Sequence, residues 1–118
     1  MYQKLKIWQK SLILIKEIYK YADKLPKNEE YNLKAQIKRA IISVTLNIAE
    51  GKCRKTSKDF AHFLNVASAS LSEVECILLI CESLNYFNVD TKLYNDIKSL
   101  NRQINALCTK LIKETKYE

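Results

Sequence analysis

The sequence predicts an all-α protein that folds as an antiparallel up-down-up-down four-helix bundle. Glycine and proline occur once each among 118 residues, and 47% of the residues are hydrophobic. This composition argues against a disordered chain and against a β-rich chain, which needs more turn residues. Apolar residues recur at alternating spacings of three and four, the period of an amphipathic helix. The length suits one domain, so we expect residues 1–118 to form a single four-helix-bundle domain.

The first helix is expected from about Gln3 to Lys24. Pro26 ends it, because proline disfavours helical geometry at the residue that precedes it. The apolar stripe that should face the core consists of Leu5, Trp8, Leu12, Ile15, Tyr19 and Ala22, widened by Leu14, Ile18 and Tyr21.

The second helix is expected from about Glu29 to Glu50. Asn28 is a good N-cap, and acidic residues in the first turn suit the positive end of the helix dipole. Gly51 should terminate the helix.

Two apolar faces distinguish this second helix from an ordinary surface helix, which has one. One face can serve the chain's own core and the other needs a further partner, so we expect Ile42, Leu46 and Ala49 to form an oligomer interface. Which face looks inward is left open by the sequence. The first face consists of Leu33, Ile37, Ala40, Ile41, Val44 and Ile48, and the second of Ala35, Ile42, Leu46 and Ala49.

A polar lane of Gln36, Arg39, Ser43, Asn47 and Glu50 runs between these faces. One interpretation is a hydrogen-bonded structural seam, because buried polar groups need partners. Arg39 would then pair with Glu50 or a neighbouring acid, and Ser43 and Asn47 would bond backbone or cross-chain groups. The other interpretation is a ligand or active pocket.

The third helix is expected from about Ser57 to Tyr86, after a capping box formed by Thr56 and Asp59. Small residues at its middle would let another helix approach closely. Its stripe consists of Phe60, Leu64, Ala67, Leu71, Val74, Leu78 and Cys81.

The fourth helix is expected from about Thr91 to Lys116, with Asp90 as its cap. Its stripe consists of Leu93, Ile97, Leu100, Ile104, Leu107 and Leu111.

Positive charge is concentrated in the first half of the chain. The net charge is +7; residues 1–60 hold 14 Lys or Arg and 6 Asp or Glu, whereas residues 61–118 hold 6 and 7. This asymmetry favours an anionic partner, nucleic acid before membrane, although a Lys-rich surface can also be merely solubilising.

Four cations follow the second helix within seven residues: Lys52, Arg54, Lys55 and Lys58, here called the basic elbow. They are either a solvated loop or a phosphate-binding surface, helped in the second case by Lys34, Lys38 and Arg39. Five copies in a ring would carry about 20 elbow cations, which gives salt-dependent and largely sequence-independent affinity for nucleic acid. No motif of the kind that reads bases is present.

Catalysis and metal binding find little support in the sequence. His62 is the single histidine, and Asp59-x-x-His62 lacks the second copy and the further carboxylates that di-iron bundles need. Gly51 is the only glycine, so there is no Gly-rich phosphate loop. We expect neither a metal nor another cofactor, and we expect a protein that is not an enzyme.

The four cysteines, Cys53, Cys76, Cys81 and Cys108, form no C-x-x-C pair. We expect free thiols on apolar helical stripes, in a reducing cytoplasm. The N-terminus does not look like a secretory signal, and no apolar run approaches the roughly 20 residues that cross a bilayer, so no membrane association is expected.

A set of short motifs extends over about residues 5–86. Its members are Trp8-Gln9, Leu25-Pro26, Glu29-Glu30-Tyr31, Leu33, Gln36 to Ala40, Ser43, Asn47 to Gly51, Phe60, Phe63-Leu64, Ala67 and Ser70 to Glu73. With these motifs at this spacing, the sequence resembles the bacterial four-helix-bundle protein family, also called the 23S rRNA-intervening-sequence protein family. One departure is Ala69, where family members often have glycine.

The resemblance implies a small helical bundle that assembles as a ring, often a pentamer, without known catalysis. The family is similar to the accessory variability determinant of diversity-generating retroelements, a basic pentameric bundle that binds nucleic acid and a reverse transcriptase. Two hypotheses follow: a homo-oligomeric bundle that binds nucleic acid, with RNA favoured, or a scaffold whose second apolar face docks a protein such as a reverse transcriptase.

Overall fold

Four long helices make up almost all of the computed structural model, which describes residues 1–115. They are α1 (Lys6–Ala22), α2 (Leu33–Lys52), α3 (Ser57–Ser83) and α4 (Thr91–Thr115), with short 3₁₀ turns at Tyr2–Lys4 and Lys27–Glu29. No strand occurs in this part of the chain. The helices lie side by side in a body of 51 × 25 × 21 Å. The all-α prediction is therefore confirmed.

One continuous core joins the four helices. It includes the first apolar face predicted for α2, whose six residues are at most 7% exposed. From α3 it takes Leu64, Leu71, Val74 and Leu78, none of which is exposed. α2 and α3 form the most extensive contact, followed by α3 with α4 and α1 with α2. The alternative left open by the sequence is thereby decided: the first face of α2 looks inward.

The stripe predicted for α1 is partly wrong. Leu12 is exposed and Leu5, Trp8, Ile15 and Tyr19 are only half-buried. The buried face is instead centred on Ser11, which is fully buried and polar. Its hydroxyl donates to Trp8 O at 2.6 Å and accepts from Thr45 Oγ1 of α2 at 2.8 Å. The polar residue breaks the apolar period, and the true core face is Ile7, Ser11, Leu14, Ile18, Tyr21 and Ala22.

α2 begins at Leu33, four residues after the predicted start at Glu29. The backbone from Lys27 to Glu29 forms a 3₁₀ turn instead, so Asn28 is not the N-cap of α2. Glu29 is buried because its carboxylate accepts from Tyr86 Oη at 2.6 Å and from Asn32 Nδ2 at 3.0 Å. A partner 57 residues away in the sequence thus holds the turn outside the helix.

α2 also continues through Gly51 to Lys52, so Gly51 does not terminate it. The glycine has another role: a Cβ atom placed on it would lie 2.9 Å from both Phe60 Cδ1 and Phe63 Cβ of α3. The absence of a side chain lets α3 approach α2 closely, immediately before the chain turns.

The predicted cap residues of the last two helices, Thr56 and Asp90, are confirmed, but among the described residues the capping box of α3 has only one of its two bonds. Asp59 N donates to Thr56 Oγ1 at 3.1 Å, and Leu93 N donates to Asp90 Oδ1 at 2.7 Å. α3 ends at Ser83, before the predicted Tyr86, because Asn85 adopts a left-handed conformation with φ of 62°. The predicted end of α4, Lys116, lies outside the described residues.

Candidate nucleic-acid interface

The basic elbow forms the connection between α2 and α3 at one end of the bundle. Lys52 closes α2, Arg54 and Lys55 lie in the loop, and Lys58 lies in the first turn of α3. All four side chains are exposed. Among residues 1–115, no carboxylate lies within ion-pairing distance of the three lysines. Their charges are therefore available to an anionic partner.

Arg54 is the exception within the elbow. Its Nη2 lies 2.5 Å from Glu50 Oε1, one helical turn earlier, and its guanidinium stacks 4.6 Å from the Phe63 ring centroid. The predicted pairing of Glu50 with Arg39 is wrong, because eleven residues of helix separate them by about 16 Å. Arg54 therefore has two local partners, and part of its charge is neutralised.

Other helices bring further cations to the same end of the bundle, and the sequence alone does not predict that these cations lie there. Lys110 of α4 lines a groove together with Lys52, Lys55 and Leu5. Lys113 follows Lys110 by three residues, and Lys4 and Lys6 flank Leu5. The α4 lysines belong to the half of the sequence without net positive charge, so a count along the chain could not find them. Only the packing of the end of α4 against the elbow shows that these lysines belong to the same surface.

Lys34 and Lys38 do not join this surface. Fourteen residues of α2 separate Lys38 from Lys52, which is about 21 Å along the helix. Lys38 Nζ lies 3.0 Å from Asp23 Oδ1, and Lys34 Nζ lies 3.2 Å from Glu30 Oε1. Because Lys38 donates to it, the pKa of Asp23 is lowered, and the bond to Glu30 raises the pKa of Lys34. Both lysines are already engaged in local ion pairs.

The polar lane of α2 divides into a bonded part and an exposed part. Asn47 Nδ2 donates to Ser43 O at 2.8 Å and to Ser43 Oγ at 3.0 Å, and Ser43 Oγ lies 3.0 Å from Ser70 Oγ of α3. These half-buried groups link α2 to α3. Arg39 is exposed, and it forms no ion pair with any described residue.

The second apolar face of α2 lies on the surface of the chain. Leu46 is 63% exposed, and Ile42 and Ala49 are half-buried. Ile42 and Leu46 line a shallow groove with Tyr19 of α1 and with Asn47. Within residues 1–115 nothing covers this groove, so the face is available to another molecule.

The cysteines differ from the expectation that all lie on buried stripes. Cys81 and Cys108 are buried, and burial raises the pKa of both thiols, whereas Cys53 and Cys76 are exposed. The exposed pair occupies outward positions of the elbow and of α3, which the apolar period does not include. No group of three or more potential metal ligands occurs among the described residues.

α3 carries enough apolar residues to cross a membrane by length and composition alone, and it is the one described helix that does. The core helices of bundles pass the same test. The prediction that the chain does not associate with a membrane stays a prediction.

At the opposite end of the bundle, two carboxylate–tyrosine pairs tie the α3–α4 connection to its neighbours. Glu82 accepts from Tyr94 Oη and from Val89 N, and Glu29 accepts from Tyr86 Oη. The tyrosine hydrogen bonds lower the pKa of both carboxyl groups. No sequence pattern reveals these pairs, which stabilise the fold and are not part of the basic surface.

Comparison with known proteins finds a similar crystal structure and a matching protein family. A crystal structure of a protein of unknown function from the S23 ribosomal protein family of Bacteroides thetaiotaomicron is similar, with a TM-score of 0.68 and 26% sequence identity. The match covers 91% of this chain and 95% of that chain. No curated protein matches the sequence. The sequence model of the 23S rRNA-intervening sequence protein family matches residues 3–108. The chain therefore belongs to the 23S rRNA-intervening sequence protein family.

Proposed function

We propose that this protein is a non-enzymatic, homo-oligomeric, cytoplasmic bundle that binds nucleic acid, RNA in particular, through its basic end. The observation that carries the proposal is the convergence of cations from three parts of the chain on one end of the bundle. Among residues 1–115, eight Lys and Arg residues lie there against three acids, Glu50, Asp59 and Glu114. The cations are Lys4, Lys6, Lys52, Arg54, Lys55, Lys58, Lys110 and Lys113.

A cluster of this kind suits a phosphate backbone better than a small acidic ligand. The exposed lysines are spread over a surface, and no base-reading motif accompanies them, so counterion release from phosphates would supply most of the affinity. The family name refers to an intervening sequence of 23S rRNA, which favours RNA as the partner. Lys34 and Lys38 are left out of this contact because acids already neutralise them.

We also propose that the four helices alternate in direction. Three contacts support this topology: Ser11 near the start of α1 bonds Thr45 near the end of α2, and Gly51 at the end of α2 packs against Phe60 at the start of α3. Tyr94 near the start of α4 bonds Glu82 at the end of α3.

Self-assembly is the second part of the proposal. The uncovered face of Ile42, Leu46 and Ala49 would pack against another copy of the chain, as in the pentamer that the resemblance implies. Asn47 supports this assignment, since its Oδ1 accepts no hydrogen bond from any described residue and could pair across an interface. Each added copy would place another basic end on the same side of the proposed ring, and the positive charge presented to a nucleic acid would increase accordingly.

A second candidate function is a scaffold that docks a nucleic-acid enzyme such as a reverse transcriptase. The same exposed Leu46 favours it, because an apolar side chain at 63% exposure beside an apolar groove is suited to a protein partner. The two functions differ in their dependence on salt and on the elbow.

The test is binding of the purified protein to a labelled RNA hairpin and to duplex DNA at about 50 and 200 mM salt. A variant with Lys52, Arg54, Lys55 and Lys58 changed to glutamate is titrated in parallel. The matched control changes Lys16, Lys27, Lys98 and Arg102 to glutamate, which alters the net charge equally at exposed sites outside the basic end.

Tight binding at low salt should weaken by orders of magnitude at high salt, and it should vanish in the elbow variant but largely survive in the control. Equal losses in both variants would mean that only the net charge matters. No binding at low salt would overturn the proposal and leave the scaffold function.

A further inference from the structure

The groove beside the basic elbow has an apolar floor as well as a cationic rim. Phe60 of α3 and Leu107 and Leu111 of α4 line it together with Leu5. Lys52, Lys55 and Lys110 lie around it, and Lys52 Nζ is 5.9 Å from the centroid of the Phe60 ring. Lys52 therefore lies over the Phe60 ring, and Lys55 and Lys110 add exposed positive charges to the same groove.

A double-helical phosphate backbone would use the rim of this groove and leave its floor unused, because the bases of a duplex are stacked inside it. The bases of a single strand are exposed, and proteins bind such strands by combining cations for the backbone with aromatic side chains for the bases. The groove encloses about 310 Å³, which is at the lower end of the range for sites that hold small organic groups.

We propose that this groove receives one unpaired nucleotide of a single strand, with its base against Phe60 and its phosphates beside Lys55 and Lys110. The inference rests on the proposed function and names its substrate class: single-stranded rather than double-helical nucleic acid.

Glu114 contributes a negative charge to the groove and so disfavours binding of an anion there. Its Oε2 accepts from Ser57 Oγ at 3.3 Å and so bridges the end of α4 to the start of α3. A carboxylate at this position repels phosphate and so opposes the attraction of the surrounding lysines. Replacing it with glutamine should strengthen binding of a strand.

The experiment compares two labelled 12-nucleotide strands that carry the same number of phosphates, one of oligothymidine and one with abasic residues at every position. The unaltered protein should bind the strand with bases about tenfold more tightly than the abasic strand. In Phe60→Leu, which keeps an apolar side chain of similar reach, the two affinities should become nearly equal, and Glu114→Gln should raise both.

Equal affinity of the unaltered protein for the two strands would overturn the inference while leaving phosphate binding by the elbow intact. Failure to bind either strand at low salt would overturn the inference, and it would overturn the proposed function as well only if the RNA hairpin and the duplex DNA also fail to bind. Because the comparison of strands uses the unaltered protein, the result does not depend on how well the Phe60 variant folds.

Discussion

Gly51 and Phe60 lie so close together that a Cβ atom on the glycine would come within 2.9 Å of Phe60 Cδ1. This contact shows how closely α3 packs against α2 immediately after the basic elbow. It also holds one edge of the Phe60 ring against α2, beside the groove that Lys52 borders. A single backbone approach therefore connects the packing of the bundle with the shape of its basic end.

Gly51→Ala should destabilise the protein although alanine is the better helix former. The new methyl group would meet the Phe63 Cβ atom, which is fixed to the backbone and cannot turn away. Overpacking of this kind costs about 1–3 kcal/mol, which exceeds the gain of up to about 1 kcal/mol in helix propensity. Urea denaturation measures the difference. Asn105→Ala, at an exposed position of α4, is the control and should be neutral or stabilising.

The helices could be predicted because the 3.6-residue period is a local property of the chain. What failed depended on distant contacts. Ser11 hides the true core face of α1 because its partner, Thr45, belongs to another helix. Glu29 stays outside α2 because Tyr86 binds it, and a glycine is needed inside α2 at position 51 because α3 packs too closely there for a side chain.

In the candidate site, too, the features that are local in the sequence could be predicted, whereas those that depend on distant contacts could not. The elbow is contiguous in sequence and could be recognised from four cations in seven residues. Lys110 could not be recognised, because only the packing of α4 brings it beside Lys52 and Lys55. Lys38 could not be separated from the elbow cations by sequence, because only the packing of α1 against α2 brings Asp23 beside it.

Leu46→Asp should dissociate the proposed oligomer without unfolding the chain. The side chain is 63% exposed in a single copy, so a charge there costs the isolated chain little, whereas a buried unpaired charge in an interface costs several kcal/mol. Sedimentation velocity measures the mass, and circular dichroism measures helicity. Ile13→Asp is the matched control, since Ile13 of α1 is also 63% exposed. Dissociation by both substitutions, or by neither, would contradict the interface assignment.

Asn47→Leu should make the proposed oligomer heterogeneous in size without reducing the helix content. The substitution removes the two hydrogen bonds to Ser43, which in turn contacts Ser70, and a polar group at an interface fixes register more than it adds stability. Light scattering after size exclusion should show a spread of masses instead of one. An unchanged oligomer that no longer binds nucleic acid would instead indicate a ligand-binding role for the polar lane.

Changing Lys34 and Lys38 to glutamine should leave nucleic-acid affinity within about twofold at about 100 mM salt. Asp23 and Glu30 already neutralise both lysines, and both lie far from the elbow along α2. Lys52→Gln with Lys55→Gln removes the same charge at the basic end and should weaken binding at least tenfold, as expected when two phosphate contacts are lost. Fluorescence anisotropy with one RNA hairpin measures all three proteins. Equal losses in the two double variants would place the phosphate contacts along the whole of α2.

Acid should loosen the end of the bundle opposite the elbow. The bonds from Tyr86 and Tyr94 lower the pKa of Glu29 and Glu82 below their ordinary value of 4.5, so these carboxyl groups stabilise the fold when they are ionised. Their contribution is complete above the pKa of the unfolded chain, and it is lost as the pH falls through the lower pKa of the folded state. The melting temperature of the unaltered protein should decline as the pH is lowered from about 6 to about 3. The melting temperature of the Glu29→Gln, Glu82→Gln double variant should decline more gradually over the same range. Its amides cannot ionise, so a decline as steep as that of the unaltered protein would show that other carboxyl groups control acid stability.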